Sequence, residues 1–220
     1  ISRRYGVHVP RRVVRQPALV VALHGGGLGS PEQHARMTGW SALADRDRSF
    51  IVVYPEGVRA TWNAGSGACG YAGRPRIDDV GFLSSMLLDV ARRYAIDDRR
   101  VYLSGHSNGS MMAHRYAAED PGLVAAIAGV AGGFSAIPTD GCPNPPAVRI
   151  VHGYEDTHVP FAGGVGPKAL DPYDHIPIEQ TEAWWRGQGG DVEAVYGKWG
   201  HAWPAGETAA QWAFFKGVRL

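Results

Sequence analysis

The sequence predicts a single α/β domain over residues 1–220, with a mostly parallel central sheet and helices on both faces. Three observations lead there. Strand-like and helix-like patterns alternate from one end of the chain to the other, as in a sheet wrapped by its crossover helices. The runs 18–23 (ALVVAL) and 50–54 (FIVVY) are apolar and of strand length, as a sheet covered on both faces requires. The length, 220 residues, supplies one full core and is short for two domains.

Residues 5–9 read as a first strand and 18–23 as a second, ending at His24-Gly25-Gly26-Gly27. Residues 31–45 have helical period, with Ser30 as N-cap and Pro31 at the first helical position. Strand 50–54 is closed by Pro55, and 56–75 is a long loop holding Trp62, Cys69 and Tyr71. Asp78 and Asp79 open a helix that runs to Tyr94; their charges suit its positive N-terminal end. Strand 100–103 and helix 108–119 follow, then strands 123–130 and 148–151, helix 179–187, strand 192–196 and helix 208–216. Only the Gly- and Pro-rich stretch 131–147 separates two core strands. It leaves no room for a helical lid, so an open site is expected.

The net charge is +1. Small clusters such as Arg3-Arg4 and Arg11-Arg12 read as solvated surface, not as the basic face that nucleic acid needs. No apolar run approaches the ~20 residues that span a bilayer. Neither nucleic acid nor membrane is an expected partner. The helices show no spare apolar face, so a monomer is expected. The chain opens at Ile1 on an extended-looking segment with no signal-peptide pattern, as expected of a piece of a longer protein. Cys69 and Cys142 both lie in Gly/Pro-rich loops, where a disulfide is easily placed. A bridge would close a loop of about 73 residues, worth roughly 3–5 kcal/mol, and would favour an oxidising location. The alternative is two unrelated thiols.

The strongest chemical signal is Gly105-His106-Ser107-Asn108-Gly109, which follows a strand and precedes a helix. That context is a nucleophile elbow. The turn is so sharp that the positions two before and two after the serine must be small, and both are glycine. Ser107 is thereby exposed at the end of its strand, with the first helix amides turned toward it. A serine hydroxyl needs a base, and the chain order Ser, acid, His points to His201, in a loop after the last strand. His175 is the weaker candidate for base. The acid is Asp156, in the loop that leaves strand 148–151, with Glu155, Asp171 and Asp174 as competitors. Asp156 would fix the tautomer of His201 and stabilise its imidazolium. The oxyanion would be held by the backbone N–H of Asn108 and by Gly25 or Gly26, whose lack of side chains permits close approach. His24 reads as structural.

Beyond these motifs, the chain resembles the secreted polyhydroxybutyrate-depolymerase-like and feruloyl-esterase-like serine esterases of the α/β-hydrolase superfamily. The matching stretches are LVVALHGGG, TGWSALAD, FIVVYPEG, TWNAG, DDVGFL, RVYLSGHSNGSMMAHRYA, HGYEDTHVP and GHAWP. The resemblance implies the triad Ser107, Asp156 and His201, secretion, and a bridging role for Cys69 and Cys142. No added substrate-binding domain of the kind that polymer-degrading relatives carry is expected, so soluble or plant-wall esters are expected ahead of solid polyester.

The expected reaction is ester hydrolysis through an acyl-enzyme, on short-chain, acetyl or feruloyl esters. Trp62, Tyr71, Trp199 and Trp203 are candidates for an aromatic substrate platform, or simply pack loops on the sheet; the Gly/Pro-rich stretch 161–177 is expected to shape the acyl or alcohol side. An oligomeric polyhydroxyalkanoate is the alternative substrate. A peptidase or amidase would reveal itself on an amide with the same acyl group. A non-catalytic binding protein would lose the serine or the histidine, and both are present. The nine histidines show no metal-ligand spacing such as H-E-x-x-H, so neither a metal nor any other cofactor is expected.

Overall fold

The computed structural model describes residues 2–27, 30–67 and 69–220. Among them are strands β1 (Tyr5–His8), β2 (Ala18–Leu23), β3 (Phe50–Pro55), β4 (Val101–His106), β5 (Ala126–Val130), β6 (Ala147–Gly153), β7 (Gly164–Val165), β8 (Asp174–His175) and β9 (Val192–Gly197). The helices are α1 (Pro31–Thr38), α2 (Trp40–Asp47), α3 (Asp79–Arg93), α4 (Asn108–Glu119), α5 (Ile178–Gly187) and α6 (Glu207–Phe215). Seven strands form one sheet in the order β1-β3-β2-β4-β5-β6-β9. All neighbours are parallel except β1, which runs antiparallel to β3.

Strand periodicity splits the apolar runs between two cores. In β2, Ala18, Val20 and Ala22 face a core with Trp40, Phe50, Tyr102, Trp212 and Phe215 from the α2 and α6 side. Leu19, Val21 and Leu23 face the other, with Leu83 and Val90 of α3, Met111 and Tyr116 of α4 and Trp185 of α5. In the first core Tyr102 stacks on Phe215 at 4.8 Å. Arg149 is buried on β6 and makes two 2.9 Å bonds to Glu207 of α6 and one to Glu193 of β9. The buried charge is thus paired, as burial demands.

The structure departs from the sequence expectations in four places. The helix expected over 31–45 is two helices, broken at Gly39, whose φ of 71° caps one and starts the next. The strand expected from 123 begins only at Ala126, because a 3-10 turn over Pro121–Leu123 precedes it. The small antiparallel pair β7–β8 was not expected. The disulfide is absent: Cys69 and Cys142 are free and buried. The Cys69 sulfur rests 3.5 Å from the Met111 sulfur, and the Cys142 sulfur 3.6 Å from the Ala117 carbonyl oxygen. Six residues separate those two positions of α4, about 9 Å along a helix, while a bridge needs sulfurs about 2 Å apart.

Three buried histidines give the fold a pH dependence. Desolvation lowers His34, His106 and His114 to about 3, with nearby imidazoles adding to it for the first two. In the unfolded chain a histidine titrates at roughly 6.5. Between these values the unfolded state binds more protons, so stability is complete above the upper value and is lost as pH falls through the window. Each group contributes a slope approaching about 1.4 kcal/mol per pH unit. Calorimetry is expected to show Tm falling steeply from pH 6.5 to pH 5; a Tm flat across that range would contradict the burial of neutral imidazoles.

Candidate active site

The site forms where the parallel strands end, the usual ligand edge of such sheets. Ser107 follows β4, Asp156 follows β6, His201 follows β9 and Gly25 follows β2. At the β4–α4 junction Ser107 adopts φ 54° and ψ −122°, a conformation that costs a non-glycine residue on the order of 1–3 kcal/mol. It is held there by its own N–H to the Val130 carbonyl (2.8 Å) and by the Met111 N–H to its carbonyl (3.0 Å). A Cβ on Gly105 would overlap the Gly109 carbonyl, and one on Gly109 would overlap the Leu23 carbonyl. The two glycines therefore let helix, elbow and neighbouring strand meet.

His201 Nε2 lies 2.9 Å from Ser107 Oγ, and its Nδ1 lies 2.8 Å from Asp156 Oδ2. The other carboxylate oxygen of Asp156 accepts the N–H groups of His158 (2.8 Å) and Val159 (2.9 Å). Burial alone would raise the Asp156 pKa; the bonds from His201, Val159 and His158 outweigh it and hold the carboxyl below its ordinary value. His152, fully buried, donates from Nε2 to the Val159 carbonyl at 2.8 Å and braces the same loop. The ring of His158 stacks on His201 at 4.5 Å.

The other side of Ser107 is built from His24, Gly25 and Gly26. Gly57 N–H donates to His24 Nε2 (2.9 Å), so the ring carries its proton on Nδ1 and donates to the Gly25 carbonyl (2.8 Å). Across a planar trans peptide, N–H points opposite to C=O. The Gly26 N–H is thus turned away from His24, and it has no acceptor among the described residues. Gly26 abuts Asn108, with a built Cβ 3.8 Å from the asparagine Cβ. The Asn108 side chain exchanges two bonds with the Trp62 backbone (2.7 and 3.1 Å), and the Trp62 indole donates to the His24 carbonyl (2.9 Å). One buried tryptophan, through its backbone and its indole, therefore ties together the two segments flanking Ser107.

Beside Ser107 lies a pocket of about 280 Å³, lined by Gly25, Gly26, Cys69, His106, Asn108, Val159, Leu170 and His201, with Lys168, His158 and His175. The aromatic platform needs correction. Trp62 is fully buried and serves the network just described. Tyr71 is exposed beneath the Arg59 guanidinium, 4.0 Å away. Trp203 donates to Thr208 and borders a separate cleft with Met37 and Thr38. None of the three, nor Trp199, lines the pocket. Its cover comes instead from 157–177, which takes in the Gly/Pro-rich stretch 161–177 expected to shape the acyl or alcohol side. The Gly/Pro content of that stretch, with His158 and Lys168 inside it, was the available signal. Asp156, His158 and His201 also bring three metal-capable atoms within 4.8 Å of one another. Asp156 and His201 are already hydrogen-bonded to each other, and His201 to Ser107.

Residues 4–138 match the family model described as esterase PHB depolymerase. The chain is 34% identical over 167 residues to a putative esterase, NocK, of Nocardia uniformis subsp. tsuyamanensis, covering 74% of the chain and 47% of that protein. It is 28% identical over 170 residues to a probable feruloyl esterase C of Aspergillus clavatus, covering 75% and 58%. The chain thus spans about half the length of the curated relatives it matches. Among solved structures, an acetyl xylan esterase from Aspergillus awamori superposes with a TM-score of 0.71 at 20% identity, covering 96% of the chain and 93% of that one. The fold is the α/β-hydrolase fold.

Proposed function

We propose, from the premise that the chain belongs to the esterase PHB depolymerase family, that it hydrolyses carboxylic esters through an acyl-enzyme on Ser107. The observation that carries this reading is the unbroken bond series Ser107–His201–Asp156. His201 takes the Ser107 proton as Oγ attacks the ester carbonyl. The N–H groups of Asn108 and Gly26 receive the oxyanion, each worth roughly 3–4 kcal/mol in the transition state. His201 then returns the proton to the leaving alcohol, and water, activated by the same base, releases the acid.

Among acetyl, short-chain and feruloyl esters, a pocket of about 280 Å³ without an aryl wall favours short acyl groups. The partner is a small ester or an ester-bearing oligomer of the kind the relatives' names indicate. Action on wall esters would place the protein outside the cytoplasm; among the described residues no helix is long and apolar enough to cross a membrane. The test is a panel of 4-nitrophenyl acetate, butyrate and octanoate with a feruloyl ester, alongside labelling by diethyl 4-nitrophenyl phosphate. Turnover fastest on the shorter acyl chains and one phosphoryl group on Ser107 are expected. No turnover and no label would end the reading.

A further inference from the structure

We propose that the pocket beside Ser107 recognises esters that carry a carboxylate, with Lys168 and His175 as the recognising side chains. The proposal rests on the esterase reading above and specifies its substrate class.

The pocket wall carries one ammonium group and four imidazoles, and no carboxylate. Lys168 is one of only three lysines in the chain. It lies on the wall, exposed, and makes no ion pair among the described residues. His175 is only 6% exposed and lines the same pocket. Its ring makes no hydrogen bond to any described residue. Unlike both nitrogens of His106, its nitrogens are not sealed from solvent. They therefore remain available to whatever fills the pocket.

The nearby acids are spent or turned to other work. Asp156 has both oxygens engaged behind His201. Asp171 accepts the Gly70 N–H and pairs with Arg74 at 3.6 Å. Asp174 and Glu155 are exposed and outside the pocket lining. The start of α4, a 12-residue helix, adds positive potential at Ser107. Arg59, over Tyr71, and Arg74 sit on the loop that packs against Leu170 of the wall through Gly70.

A neutral apolar ester would leave the buried His175 ring without a partner and the pocket's field uncompensated. A carboxylate several bonds from the scissile carbonyl removes both penalties: it accepts from the imidazole and faces the ammonium. Such charge-assisted bonds are short and strong. Burial holds His175 neutral near pH 7, so one ring N–H remains to donate.

Two matched pairs test this and tell which half of the ester bears the charge. On the acyl side, the 4-nitrophenyl monoester of adipic acid is compared with 4-nitrophenyl hexanoate. On the alcohol side, 3-acetoxybenzoate is compared with its methyl ester. The wild type is expected to favour the anion of one pair by about tenfold in kcat/KM, the scale of one charged hydrogen bond. Lys168→Met is expected to erase that ratio and Lys168→Glu to invert it. His175→Ala is expected to reduce it through KM. Calorimetric titration of Ser107→Ala with the preferred anionic ester is expected to lose affinity when Lys168→Met is added. Lys168 is exposed, so its variants should keep the wild-type melting temperature. Equal rates on both members of both pairs, or a ratio unchanged by Lys168→Met, would overturn the anion subsite while leaving the esterase reading intact. No hydrolysis of any ester together with an unlabelled Ser107 would remove both.

Discussion

Ser107→Ala is expected to lower kcat on 4-nitrophenyl butyrate by about 10⁵- to 10⁶-fold, the scale seen when a nucleophile is removed from a hydrogen-bonded set of this kind. Among the described residues the Ser107 hydroxyl has one partner, the His201 ring. Its backbone is fixed by bonds that alanine keeps. Alanine at φ 54° carries the same strain as serine, so Tm should move by no more than a few degrees. Stopped-flow assays of wild type should show a burst of 4-nitrophenol that the variant lacks. A variant with undiminished turnover would mean that the hydrolytic nucleophile lies elsewhere.

Asp156→Asn is expected to lower kcat by about 10⁴-fold, through the histidine and not through lost shape. Asp156 Oδ1 accepts two backbone N–H groups, from His158 and Val159. An asparagine must place its own oxygen there. Its NH₂ then faces His201 Nδ1, where a carboxylate oxygen stood. That nitrogen becomes an acceptor, the ring proton moves to Nε2, and Nε2 can no longer receive the Ser107 proton. Substrate affinity should change little, since Asp156 does not line the pocket. Proton NMR of the downfield imidazole resonance would report the tautomer directly. Retention of wild-type kcat would exclude Asp156 from the relay.

The sequence carried the sheet and the Ser107–His201–Asp156 geometry because both are written in local chemistry. A parallel strand buried on both faces reads as an apolar run, as β2 and β3 do. An elbow needs small residues at fixed offsets, and Gly105 and Gly109 supply them. What stayed illegible depends on direction and distance. Trp62 sits in a loop near the site, yet its side chain turns inward to the His24 carbonyl. Cys69 and Cys142 have the right type and loop context, but α4 holds them apart. The break at Gly39 is hidden because apolar period continues across it into Trp40 and Ala44. The β7–β8 pair is two residues long on each side, too short for any pattern to register.

The acid and the pocket's cover belong to one uninterrupted stretch of chain. The amides that hold Asp156 come from His158 and Val159, and the Thr157 carbonyl accepts from Lys168 on the wall. On the proposed mechanism, selectivity and reactivity are therefore mechanically coupled. A remodelled cover transmits its displacement to the carboxylate that orients the base, so a change of substrate range is liable to bring a change of rate with it. The opposite bank, residues 59–67 and 69–76, reaches the pocket through Cys69 and is tied to the surroundings of Ser107 at Ala60, whose carbonyl accepts the Gly27 N–H, and at Trp62. A directed-evolution library seeking new substrates at constant turnover would begin on that bank, with Ala60 and Trp62 kept.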